Sequence, residues 1–324
     1  MPELTIEPLT KDNIREVVEV VRLSKAELPF ERAPTVEEMT AFTFGDSEFH
    51  PEGSWLVRSD GRPVAWARAL VERNRLSAGL DDAYFELDIV PDARDVGIGE
   101  TLTARASDYV RARGVGKMRT RAVEPEKWRL DLLSREGFAE SYRIFFLVRR
   151  GRIELPEAAI PDGVRLVRRP YKDCGDEEMT RIVEAFNDTF QDHFNFAPER
   201  PEMFIKYRDS SEDPECFSLA MDGEEIVGLC LSHEDMLYNQ ENGTKWGWIN
   251  ILGVRPPHRR RGIGRFLLLD GMKWVLERGM DTTYIGVYAK NEKALGMYTS
   301  VGFVKDRESM WLEKRLRDPT LTTP

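Results

Sequence analysis

Four arginines and two glycines stand out in the run Arg259-Arg260-Arg261-Gly262-Ile263-Gly264-Arg265. Glycines leave backbone N–H groups uncovered and let a ligand approach closely. N–H groups at a helix start, with the helix dipole behind them, favour an anion. Guanidinium groups add charge-assisted hydrogen bonds. The run follows an apolar stretch, Trp248 to Leu252, and opens another, Phe266 to Leu269. That order reads strand, loop, helix, and the chemistry it suggests is a cradle for a pyrophosphate.

A second copy lies in the first half. Ile89, Pro91, Arg94, Gly97 and Gly99 match Val254, Pro256, Arg259, Gly262 and Gly264 at one offset of 165 residues. A repeat of that length is a duplicated domain rather than a solenoid unit. The elements around each loop agree. Leu4 to Glu7 and Val164 to Val167 read as first strands. Ile14, Val17, Val18 and Val21 mark one helical face, and Met179, Ile182, Val183 and Phe186 mark another. A short helix is expected near Val36 to Phe42. Asp60-Gly61 and Asp222-Gly223 each separate two strand-like runs and predict hairpins. Strands are expected at Tyr84–Val90, Met118–Val123 and Tyr142–Val148, and again at Trp246–Val254, Thr283–Tyr288 and Met310–Glu313. Helices follow the two loops, from Ile98 and from Ile263. Asp235 to Gly243 reads as a polar loop. Side-chain alternation puts Trp246, Trp248, Asn250, Leu252 and Val254 on one face.

The boundaries that follow are 1–150 for a first domain, 151–163 for a linker with Pro156 and Pro161, 164–316 for a second domain, and 317–324 for a tail. At 324 residues, two domains are also the prior from length. A hydrophobic content of 41% is enough for packed cores. A net charge of −10 gives no support for general nucleic-acid binding. Three cysteines without a C-x-x-C pair argue for a reducing compartment and against a thiolate metal site. No signal peptide and no membrane-spanning run are read. The expectation is a cytoplasmic protein with no metal.

Strand, V/I-x-P, then R-x-x-G-x-G at a helix start resembles the acetyl-CoA loop of the GNAT (GCN5-related) N-acetyltransferases. Asn291-x-x-Ala294-x-x-x-Tyr298-x-x-x-Gly302-Phe303 resembles the family's second signature. The chain looks like a tandem GNAT protein with the general layout of the mycothiol synthases and their relatives. The resemblance implies an α/β (mixed α+β) fold of two tandem domains, each a mostly antiparallel twisted sheet with helices on both faces. It implies acetyl-CoA as acyl donor, direct attack by an amine in a ternary complex, and an active site in the second half. Leu252, Val254, Arg259 to Arg265 and Asn291 would hold the donor. The Val254 N–H would face the thioester carbonyl, and Tyr298 would be the general acid toward sulfur. A core aromatic is the other reading of Tyr298.

In the first half, Glu126 and Leu133 occupy the places of Asn291 and Tyr298. Ile89, Arg94, Gly97 and Gly99 keep the loop, so that half either binds coenzyme A or serves structure. The general base has four candidates, His193, His233, Glu234 and Asp235. Asp192, His193 and Asn250 are candidate acceptor-site residues; the other reading of His193 is a hydrogen-bonded filler. The acceptor is expected to be a small-molecule amine, with no nucleic-acid or membrane partner. The halves would form a pseudo-dimer within a monomer, or the chain a homodimer. The rival to an enzyme is a coenzyme A sensor that binds without turnover.

Overall fold

The structure is a computed structural model that describes residues 3–28, 30–45, 48–152, 154–157 and 159–316. The tail expected at 317–324 lies outside these residues. The chain divides into two compact units. Unit 1 is Met1–Arg143 with Ser309–Pro324, and unit 2 is Ile144–Glu308.

Unit 1 contains β1 (Leu4–Pro8), α1 (Ile14–Lys25), α2 (Val36–Phe44), β2 (Ser54–Ser59), β3 (Arg62–Leu70), α3 (Arg73–Ser77), β4 (Ala83–Ile89), α4 (Ile98–Ala112), β5 (Lys117–Val123) and α5 (Lys127–Arg135). β6 (Ala139–Arg150) carries the chain into unit 2. There follow β7 (Arg165–Pro170), α6 (Asp176–Phe190), α7 (Pro201–Ser210), β8 (Glu215–Asp222), β9 (Glu225–His233), α8 (Met236–Asn242), β10 (Trp246–Val254), α9 (Ile263–Glu277), β11 (Thr282–Tyr288) and α10 (Glu292–Thr299). β12 (Val304–Arg315) returns to unit 1.

The strand order in unit 1 is β1-β2-β3-β4-β5-β12, and in unit 2 it is β7-β8-β9-β10-β11-β6. β4/β5 and β10/β11 are parallel, and the other pairs are antiparallel. The compact units divide inside β6 and β12. Each sheet therefore takes its last strand from the other half of the repeat, which covers the β5 and β11 edges with paired backbone. In unit 1, α1 and α4 pack on the sheet, and their buried faces hold Val17, Val20 and Val21, and Leu102, Ala106 and Val110. In unit 2, α6 and α9 do the same with Met179 and Ile182, and Leu267, Met272 and Val275.

Two readings of the sequence need correction, and one helix was not foreseen. The segment 235–243 is not a polar loop. Asp235 Oδ1 accepts the Tyr238 N–H at 2.8 Å and caps helix α8, whose buried Tyr238 stacks on Trp246. Residues 201–210 form helix α7, started by Pro201 at its first turn. Finally, β10 is not a regular alternating strand. Its pairing with β9 shifts between Ile249 and Ile251, so Asn250 is a bulge residue. A Cβ on Gly247 would meet Val275 of α9, whereas one on Gly253 would meet Thr189 and Phe190 of α6. Odd-numbered residues thus change faces across Asn250. Leu252 and Val254 lie on the α9 face, opposite to Trp246 and Trp248.

Candidate active site

The parallel pairing of β10 with β11 runs from Trp246/Thr282 to Ile249/Ile285. Beyond the Asn250 bulge, β10 continues to Val254 while paired only with β9. The two strands part there, and the β11-facing edge of Asn250 to Val254 is open to a further hydrogen-bonding chain. The bulge is the local cause, because an inserted residue bends its strand and raises the twist.

The arginine loop begins where β10 ends. Gly262 is the N-cap of α9 with φ +85°, a conformation that an L side chain resists, and no side chain caps the helix. The first helical N–H groups, of Ile263, Gly264 and Arg265, have no intrahelical acceptor. Arg260 also sits at φ +65°, so the loop turns its backbone twice through the left-handed region. Such turns aim successive N–H groups into one concavity.

The loop arginines divide their tasks. Arg259 donates to the Val254 carbonyl at 3.0 Å and the Thr189 carbonyl at 2.9 Å, and pairs with Asp192 at 3.1 Å. This guanidinium ties β10 to the end of α6. Arg94 does the same in unit 1, through the Ile89 carbonyl, the Ser24 carbonyl and Glu27. All three partners recur at the offset of the repeat. Arg261 donates to the Asp162 carbonyl and contacts His258, and Arg265 donates to Ser300 Oγ at 2.7 Å. Arg260 is exposed, and among the described residues its guanidinium has no partner. The linker passes close by, so that Ala159, Ile160, Pro161 and Asp162 line an open groove with Arg261 and Gly262.

Asn291 is the N-cap of α10, its Oδ1 accepting the Ala294 N–H at 3.2 Å. Tyr298, on the same helix, is 6% exposed and packs in the α9-side core beside Phe303. Burial pushes its phenol above the usual range, so the proton is held at neutral pH. No hydrogen bond to this hydroxyl occurs among the described residues, and it is not one of the chain's sealed, unpartnered polar atoms. Leu133 fills the matching place in unit 1 at 0% exposure. Packing alone is thus satisfied there without a hydroxyl.

Asp192 and His193 follow α6. Asp192 is spent on Arg259. The His193 ring stands edge-on to Phe190 at 4.7 Å, and Phe190 in turn reaches the space in front of Gly253. His193 is exposed, yet partial desolvation, then the Arg259 charge, lowers its pKa, against a smaller opposing effect of Asp192. The other base candidates are engaged. Glu234 accepts from Arg278 at 2.9 Å, Asp235 caps α8, and His233 contacts Asp213 at 3.3 Å. Asn250 is exposed at the bulge. Phe194 stacks on Tyr288 at 6.0 Å, so the segment after α6 meets the end of β11. Sequence reasoning missed Phe194 and Tyr288 as one wall, since only the fold joins them. It also missed Glu215, which is buried beside His233 and accepts the Tyr207 hydroxyl at 2.5 Å. Among the described residues, no group of three or more His, Cys, Asp or Glu is placed to hold a metal ion.

Comparison with known proteins places the chain in a family. The profile of the acetyltransferase (GNAT) family matches residues 19–138 and 179–303. A mycothiol acetyltransferase of Rhodococcus erythropolis is 30% identical over 300 residues, covering 84% of this chain and 93% of its own. That of Nocardia farcinica is 26% identical and covers 84% and 91%. Among solved structures, a tandem GNAT protein from the clavulanic acid biosynthesis pathway superposes with a TM-score of 0.73 at 17% identity, covering 98% of this chain and 99% of its own. A GCN5-related N-acetyltransferase from Sphaerobacter thermophilus gives 0.70 at 19%, covering 97% and 96%.

Proposed function

Because this chain belongs to the acetyltransferase (GNAT) family and is a tandem N-acetyltransferase, we propose that unit 2 moves an acetyl group from acetyl-CoA to a primary amine. The observation that carries this is the coincidence of an open β10 edge with an uncapped, arginine-flanked helix start directly after it.

The fit to the donor is chemical. The N–H groups of Ile263, Gly264 and Arg265 and the guanidinium of Arg260 suit a pyrophosphate. The strand edge of Leu252 and Val254 suits an amide-bearing arm that pairs as an extra strand. The donor supplies the activated acyl group. Within this frame the Val254 N–H orients the carbonyl and stabilises charge that develops on it. A preorganised donor of this kind is worth about 3 kcal/mol of barrier. Tyr298 holds a proton for the departing sulfur. His193, its pKa lowered, takes a proton from the acceptor's ammonium, directly or through one water, and the neutral amine then attacks. Asn291 shapes the start of α10 and so the position of Tyr298.

The acceptor reading rests on the relatives. Several are mycothiol acetyltransferases, so the amine acceptor of that reaction heads a panel that also contains amino sugars, amino acids and aryl amines. The test is amine-dependent release of coenzyme A thiol. Release stimulated by at least one amine supports the reading. Donor binding without release from any amine would favour a sensor instead.

A further inference from the structure

Unit 1 repeats the architecture of unit 2, but it fills the corresponding gap with its own side chains. β4 and β5 also part early, their parallel pairing being Ala83/Met118 and Tyr84/Arg119. Beyond that point Arg129 of α5 enters between them. Its guanidinium donates to the Leu87 carbonyl on β4 at 2.9 Å and to Thr120 Oγ1 on β5 at 3.2 Å. Arg129 is 7% exposed, and Glu126 lies 3.6 Å from it. At the offset of the repeat, Arg129 corresponds to Ala294, Leu87 to Leu252 and Thr120 to Ile285. The carbonyl that Arg129 occupies is therefore the counterpart of one on the open edge of β10.

Two further differences act in the same direction. On the α1 side, Glu31 accepts from Lys25 at 3.3 Å and from Arg121 at 3.2 Å, linking the segment after α1 to β5. The counterparts of these residues are Phe196, Phe190 and Gly286, and Gly286 is exposed. At the helix start, Asp95, Val96 and Glu100 stand where unit 2 has Arg260, Arg261 and Arg265. Asp95 sets a carboxylate beside a would-be pyrophosphate, Glu100 is paired with Arg135 at 3.1 Å, and Arg94 is committed to Glu27 and the carbonyls. Leu132 also crowds the helix start, since a Cβ on Gly99 would lie 2.4 Å from its Cδ2. At Gly264 the nearest atoms are 3.6 and 3.9 Å away.

We infer that Arg129 takes the place of the donor's amide-bearing arm in unit 1, that this cleft admits no acyl-CoA, and that the chain carries one donor site. The inference rests on the reading of unit 2 as the donor site. It assigns unit 1 a self-filled cleft that is stable without ligand. The splayed strand ends are bridged by a guanidinium rather than by a bound molecule.

The test is calorimetric titration of the full chain with acetyl-CoA, joined to hydrogen-exchange mapping of the same complex. The expected result is one site per chain. Protection should appear in 250–265 and 291–298, with none in 84–100 or 126–133. Gly264→Trp should weaken binding at least a hundred-fold. Should that variant fail to fold, the exchange map of the parent still decides. Two sites, with protection in both regions, would overturn the inference and leave the unit 2 reading intact. One site with protection confined to 84–100 would overturn both. Absence of any binding would also overturn both, since one site per chain is part of the inference.

Discussion

Arg259 and Arg260 are neighbours in one loop, yet their replacement by alanine should have separable effects. Arg259→Ala removes two hydrogen bonds from a guanidinium to backbone carbonyls and one ion pair to Asp192. A hydrogen bond to a charged group contributes about 1.5–3 kcal/mol, and an exposed ion pair about 0–1. The Arg259 side chain is 38% exposed and Asp192 64%, so solvent competes and the low end applies. The expected loss is about 2–3 kcal/mol. For a unit of this size, each kcal/mol moves the midpoint by about 2–4 °C, which gives a fall of about 5–10 °C. Arg260→Ala removes a side chain without a partner among the described residues, so its effect on stability should stay within about 0.5 kcal/mol. It should instead weaken acetyl-CoA by about ten- to hundred-fold, the worth of one charge-assisted contact. Differential scanning calorimetry without ligand and titration with acetyl-CoA separate the two. Unchanged melting of Arg259→Ala, or a matching loss of melting temperature in Arg260→Ala, would refute this division of tasks.

Further outcomes follow from the same geometry. Tyr298→Phe should lower kcat about a hundred-fold with little change in melting, because Leu133 shows that an apolar side chain packs at this place; an unchanged kcat would remove the proton-donor role. The depressed His193 pKa should give kcat/KM an acid limb below the ordinary histidine value, with activity held above it, and His193→Gln should abolish that limb. The same depression makes the unfolded chain bind more protons than the folded one, so His193 should cost stability as pH falls from the unfolded pKa to the folded one; from pH 8 to pH 5 the parent's denaturant midpoint should fall relative to that of His193→Gln. Gly253→Ala would place a Cβ 2.1 Å from Thr189 Cγ2 and should cost about 1–3 kcal/mol by overpacking, whereas Gly264→Ala meets only ordinary contacts and should melt like the parent.

The duplicated loop was legible in the sequence because its backbone demands glycine: Gly97 and Gly262 both sit at positive φ. Asn291 and Tyr298 were legible by their spacing. The Asn250 bulge was not, since one added residue leaves Trp246 to Val254 strand-like and its even positions reading as a single face. Its trace is indirect: the offset between paired strand residues is 164 before the bulge, from Ala83 to Gly247, and 165 after it. The role of Arg259 was hidden because two of its partners are carbonyls, which carry no side-chain signature. The recurrence of an acidic residue at Glu27 and Asp192 was the available hint. Arg129 opposite Ala294 was also in plain view, but a lone arginine on a short helix reads as surface until the fold buries it. Helices α7 and α8 escaped because the first has no fully buried residue and the second is short.

The most direct test of acetyl transfer by unit 2 is amine-dependent thiol release from acetyl-CoA, measured on the parent, on Gly264→Trp and on Tyr298→Phe. The expected result is release in the parent that Gly264→Trp abolishes and Tyr298→Phe slows about a hundred-fold. Amine-dependent release that persists at the parental rate in a folded Gly264→Trp protein would contradict it, and would move the reaction away from the arginine loop.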